Sequence, residues 1–181
     1  LAEKKYVQTE IVIPEEYNHE TRVAIAQDIL EEIRERAKRG VGIDSSKREK
    51  TFPAYSKAYT QSLDYKNAKG TSKTVNLTLS GDMLAELDLV KDTKGKLVIG
   101  FDPGSDAAGR AEGNIRGSYG DSRGSKAKAR NFLGLPKEVI TGILKKYPIK
   151  DRQKTDENVS KSKAKQQAAK KVARKDIDAD F

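Results

Sequence analysis

The chain contains no cysteine, no tryptophan, one methionine and one histidine among 181 residues. Without cysteine it forms no disulfide and no thiolate metal site. That suits a protein assembled inside a cell. With His19 as the lone imidazole, no convincing Ser–His–Asp set can be assembled. His19 stands between Asn18 and Glu20 at a helix entrance, where an exposed capping role is the simplest reading. No Gly-x-x-x-x-Gly-Lys-Ser/Thr loop occurs. Gly113, Gly117 and Gly120 do not follow a buried strand at dinucleotide-binding spacing. A run of about 18 apolar residues is also missing, so no membrane-spanning helix is expected. The stretch from Glu3 to Lys5 is charged and precedes no apolar region, which argues against a signal peptide.

Apolar residues are sparse as well. They make up 35% of the chain, and charged residues another 35%, against about 25% charged in ordinary domains. Such a chain is not expected to pack along its whole length. Some segments should stay extended or order against a partner. The length fits one domain, or one domain with a tail. The net charge of +9 favours contact with nucleic acid or another anionic surface. Simple solubility explains it equally well.

What is present reads as a small α+β domain. Val7, Ile11 and Ile13 share one parity, so residues 5–13 predict a strand that Pro14 ends. A helix follows, capped by Asn18 or Thr21. Ile25, Ile29, Ile33 and Ala37 recur every four residues, and Ala26 and Leu30 widen the stripe. Glu31, Glu32, Arg34, Glu35, Arg36 and Lys38 are read as its solvated face. Gly40 is a natural stop. Residues 40–53 are expected to be loop. Pro53 is then read as opening a short helix, with Tyr55, Tyr59 and Leu63 spaced by four.

Val75, Leu77 and Leu79 predict a short extended segment. Ser80 caps a turn of helix that points Met83, Leu84 and Leu87 inward. Leu87, Leu89, Leu97, Ile99 and Phe101 predict an antiparallel hairpin that turns through Asp92-Thr93-Lys94-Gly95. Residues 102–128 are punctuated by Gly104, Gly109, Gly113, Gly117, Gly120 and Gly124. Ala107 to Ile115 could form a weak helix there, the remainder being loop. Arg130 to Leu135 resumes as a strand or extended insertion. A short C-terminal helix over 136–147 buries Val139, Ile140, Ile143 and Leu144. The domain is thus assigned to residues 1–148. Residues 149–181 form an extended basic tail with no apolar face, expected to project.

Two groups of residues carry the side-chain types that chemistry uses. Asp82, Glu86, Asp88, Asp92 and Lys94 supply the clustered carboxylates that a Mg²⁺-dependent nuclease needs. Local structure explains them better, Asp82 as a first-turn acid and Asp92 as a turn residue. No catalytic residue, cofactor or metal is therefore expected. Arg110, Arg116, Arg123, Lys126, Lys128 and Arg130 form a basic series with one aromatic, Tyr119. They are candidates for a subunit interface or for a channel that carries DNA. Poor interleaving with aromatics argues against a dedicated single-strand grip. Phe132, Leu133 and Leu135 are the candidates that close the core.

Four segments, in order, resemble the virion-morphogenesis family of tailed phages, the neck and tail-completion proteins. They are the amphipathic N-terminal helix, Pro53 to Tyr59, Leu79 to Leu87 with the hairpin ending at Gly100, and Arg130 to Pro136. The last resembles the family's Arg-x-Phe-Leu-Gly-Leu closure. The resemblance spans residues 15–147. One element departs: many relatives carry a His/Glu-Phe-Gly step where this chain has Ala111 to Gly120. The resemblance implies a non-enzymatic subunit of a homo-oligomeric ring, sixfold to match a tail. The ring would join portal or connector proteins to the tail-terminator, tube or sheath side of a virion, without membrane contact. The alternative is a basic nucleic-acid-binding protein unrelated to virion structure.

Overall fold

The computed structural model describes residues 7–67, 75, 77, 82–118 and 128–149. The fold is mixed α+β. Strand β1 (Gln8–Val12) leads into helix α1 (His19–Lys38), followed by the two short strands β2 (Val41–Ile43) and β3 (Glu49–Thr51). Helices α2 (Lys57–Gln61), α3 (Leu63–Asn67) and α4 (Asp82–Ala85) precede the hairpin of β4 (Asp88–Thr93) and β5 (Lys96–Gly100). Helices α5 (Asp106–Arg116) and α6 (Lys137–Lys145) complete it. The chain divides after Tyr147. Of the expected tail, residues 150–181 lie outside the described residues.

The main sheet has the order β1-β5-β4, with both neighbouring pairs antiparallel. Gln8 lies opposite Gly100 and Val12 opposite Lys96, so β1 crosses a long sequence interval to find its partner. The hairpin turns at Lys94-Gly95, where Gly95 takes φ +79°. One face of the sheet carries Ile11, Leu97 and Ile99 into the core. Helix α1 covers that face with Ile25, Ala26, Ile29, Leu30, Ile33 and Ala37, the residues that the four-residue spacing selects. Burying each Ile or Leu is worth about 1.5–3 kcal/mol, so this one stripe supplies much of the cohesion. Asn18 caps the helix by accepting from Thr21 N at 2.8 Å. Gly40, at φ +78°, ends it.

Three local expectations are corrected. Residues 40–53 are not a loop but a second, two-stranded sheet of β2 and β3. Its turn is built by Asp44, whose carboxylate accepts from Ser46 N and Arg48 N at 2.8 and 2.9 Å. Both strands are too short to show apolar alternation, and β3 is polar throughout. Pro53 does not open a helix. Ser56 does, accepting from Tyr59 N. Leu63 points to solvent at 74% exposure, and the buried Tyr65 takes the inward place expected of it.

Two arginines placed on the solvated face of α1 turn inward. Arg34 donates to the carbonyls of Leu84 and Leu87 at 3.0 and 2.6 Å, satisfying the C-terminal end of α4. Arg36 is buried and pairs with Glu49 at 3.0 Å, tying α1 to β3. Long side chains bury their stems even when their heads are charged, which a pattern of polar and apolar letters does not record.

Candidate functional site

The closure segment is the structural centre of the region expected to carry function. Residues 129–136 are extended but belong to no strand. Phe132, Leu133 and Leu135 are all buried in the core. Phe132 meets Phe101 edge-on, with ring centroids 6.2 Å apart, a geometry that aromatic quadrupoles favour. The backbone is held near the start of the segment. Arg130 N donates to Asn114 O at 2.8 Å, and Ile43 N donates to Asn131 O at 2.8 Å. Close approach is what glycine permits here. A Cβ on Gly42 would stand 2.1 Å from Asn131 O, and one on Gly134 would stand 2.3 Å from Ile43 Cδ1. The segment thus lies wedged between β2 and the C-terminal end of α5.

The described members of the basic series differ in their burial. Arg110 and Lys128 are exposed. Arg116 is exposed and pairs with Glu112 one turn back, at 3.2 Å. Arg123 and Lys126 lie outside the described residues. Arg130 contradicts its assignment as a surface contact. It is buried at 7% exposure, with its guanidinium 5.0 Å from the Tyr55 ring centroid. Tyr55, Tyr59 and Tyr65 contact one another at 5.1–5.7 Å. Rings this close leave no slot for a ligand between them, so the cluster is packing with a cation–π lid. In the glycine-rich stretch, the weak helix expected over Ala107 to Ile115 is present as α5. Helix α5 is capped by Ser105, which accepts from Ala108 N, and buries Ala107, Ala108 and Ala111.

The acidic group also resolves into structural roles. Asp92 is a strand residue, not a turn residue, and faces the start of α1. Arg22 grips it with two bonds, Nε to Oδ1 and Nη2 to Oδ2, the second at 3.1 Å. His19 Nδ1 lies 2.6 Å from Oδ2. The Arg22 hydrogen bond holds the Asp92 carboxyl below the usual carboxylate range, opposed next by desolvation, and the His19 bond adds to the lowering. His19 is therefore exposed, as expected, but does not cap. It clips the helix start to β4. No sequence signal joins positions 19, 22 and 92; only the antiparallel hairpin laid on α1 does. Among the described residues no group of three His, Asp or Glu side chains is placed to hold a metal.

A shallow groove runs along α1 between Gln27, Asp28, Glu31, Arg34, Glu35 and Lys38. Its charges are largely engaged within the fold. Asp28 pairs with Lys146 at 3.0 Å, Glu35 with Lys38 at 2.7 Å, and Arg34 serves the α4 carbonyls. No helix among the described residues is long and apolar enough to cross a membrane. Comparison with family models, characterised proteins and solved structures finds no match for this chain.

Proposed function

We propose that the chain is a non-enzymatic structural subunit of a phage head–tail neck, a neck or tail-completion protein that works as a ring. One observation carries the reading. The four segments that resemble the virion-morphogenesis family, separated by up to a hundred residues, all feed one core. Ile25 to Ala37, Tyr55, Met83 to Leu87, and Phe132 to Leu135 belong to it or pack against it. The resembling residues are thus those that build the domain, as expected when a resemblance reflects a shared scaffold rather than scattered similarity. His19, Arg22 and Asp92 are meanwhile engaged in holding α1 to β4.

In this reading the partners are further copies of the chain in a ring, sixfold to match a tail. Portal or connector proteins lie on one side and tail-terminator, tube or sheath proteins on the other. The protein resides in the virion, and exposed Arg110 and Lys128 contact neighbours or passing DNA. The test is the mass of the purified chain at moderate salt, alone and with portal or tail components. A ring in either setting is the expected result. A stable monomer that binds duplex DNA tightly and loses it with added salt would replace this reading with the nucleic-acid-binding one.

A further inference from the structure

The two edges of the main sheet differ from the rest of the surface. Among the described residues, the exposed large apolar side chains are Val12, Leu63, Val90 and Ile149. Val12, at 78% exposure, stands on edge strand β1, and Val90, at 42%, on the opposite edge β4; among the described residues neither edge pairs with a further strand. Val90 is turned out by a bulge, since the register with β5 shifts between Leu89 and Lys91. An edge strand presents a row of unpaired backbone groups. On β1 their identity follows from the bonds at its two ends. Phe101 N donates to Val7 O, and Ile13 N donates to Gly95 O. Odd-numbered residues therefore bond to β5, and alternation turns the N–H and C=O groups of Gln8, Glu10 and Val12 to the free side.

We propose that the ring closes by continuation of this sheet: the β1 edge of one copy pairs with the β4 edge of the next. The proposal rests on the ring reading above and names the surface that makes the ring. Strands β1 and β4 both run antiparallel to β5, hence parallel to each other. A head-to-tail repeat keeps that direction and keeps like faces of the sheet together, so the seam is a parallel pair. In a parallel pair, residues with outward-turned groups sit opposite residues whose groups turn away. Glu10 is of the first kind. Lys91, which pairs with Val98 of β5, is of the second.

Charge favours one register, in which Glu10, already paired with Lys96 Nζ at 3.2 Å within its own sheet, also meets Lys91 of the next copy. The face of the sheet away from α1 presents Gln8, Glu10 and Val12 on β1, and Asp88, Lys91 and Thr93 on β4. With Glu10 opposite Lys91, Gln8 meets Asp88 and Val12 meets Thr93, with no like charges opposed. Sliding one way brings Glu10 to Asp88, which is repulsive. Sliding the other way loses the charge pair. A two-fold pairing of β1 with β1, centred on Glu10, opposes two carboxylates and leaves the β4 edge unused. The heterologous seam uses both edges, as a closing ring requires.

The chain has no native cysteine, so the seam can be trapped directly. Glu10 and Lys91 are both exposed, and adjacent strands lie about 4.8 Å apart, within disulfide reach. In the full chain carrying Glu10→Cys and Lys91→Cys, mild oxidation of the assembled ring should give a covalent ladder ending at ring size. Neither single variant should give it. A ring by mass with no ladder overturns the seam and leaves the ring reading standing. A covalent dimer from Glu10→Cys alone overturns it in favour of two-fold pairing. A chain that stays monomeric, alone and with portal or tail components, overturns both. As a second measurement, Val12→Lys with Val90→Lys changes only exposed positions. It should leave the thermal midpoint in place and abolish the ring. A ring undiminished by the two lysines also overturns the seam.

Discussion

Phe132 and Asp92 represent the two ways in which single residues hold this domain. Phe132 is buried at 1% exposure against Phe101. Truncating it to Ala removes the ring and leaves a cavity beneath the closure segment. The expected cost is about 3–5 kcal/mol, read as a lowered midpoint in denaturant unfolding. Asp92 acts through charge. Its carboxyl is depressed by Arg22 first and His19 next, whereas an unfolded Asp titrates near about 3.9. Its contribution is therefore fully present above that value and is lost as pH falls through the depressed one. Unfolding measured from neutral pH down to about pH 3 should show this loss, and Asp92→Asn should flatten the acid limb. Phe132 could be read from the sequence as part of the one large apolar pair in a polar region. The Asp92 cluster could not, because its members lie some seventy residues apart. Arg130 shows the same gap. Its letter says surface, while its neighbours Tyr55 and Asn114 come from elsewhere in the chain.

At the scale of elements, two glycines should respond to the same substitution with opposite signs. Gly42 in β2 has the Asn131 carbonyl where a Cβ would be, and that atom belongs to backbone that cannot step aside cheaply. Gly42→Ala should destabilise by roughly 1–3 kcal/mol or more, as overpacking does. Gly109 in α5 has nothing within 4 Å of its Cβ position. Gly109→Ala should stabilise by about 0.5–1 kcal/mol, because Ala loses less backbone freedom in a helix interior. Thermal midpoints of the two variants, compared with the parent, decide both. Cap removal adds a third expectation: Ser105→Ala should cost α5 about 1 kcal/mol, measured the same way. Helix α1 and the β4–β5 hairpin were legible because their apolar periods of four and two are clean. The β2–β3 hairpin was not. Each of its strands has three residues, and Glu49–Thr51 is exposed throughout. What forms it is a side chain in the turn, Asp44, and a backbone carbonyl from residue 131.

For the whole molecule, the proposed ring would make one demand on concentration. If each seam is one strand pair, the isolated chain should be monomeric when dilute and assemble as concentration rises or as a template end is supplied. Sedimentation across a concentration series checks this. A concentration-independent monomer that is also indifferent to tail or portal components would contradict it. The mixed α+β class, with an amphipathic N-terminal helix, antiparallel strands and a short C-terminal helix, was readable from length and pattern. The pairing of β1 with β5 was not, since alternation says that a strand exists and not which strand it joins.

That pairing also has a temporal side. Gln8 waits for Gly100, and the core beneath their sheet is sealed by Phe132, Leu133, Leu135 and Ile143. A ribosome adds roughly 5–20 residues per second. The first strand therefore spends several seconds as an exposed ribbon before its neighbour exists, and helix α1 waits longer for its full cover. Contacts spanning this much chain also make for slow folding. A nascent chain stopped before residue 130 should thus remain protease-sensitive, even though it carries every strand of the main sheet. Cleavage resistance should appear only after the closure segment has cleared the exit tunnel.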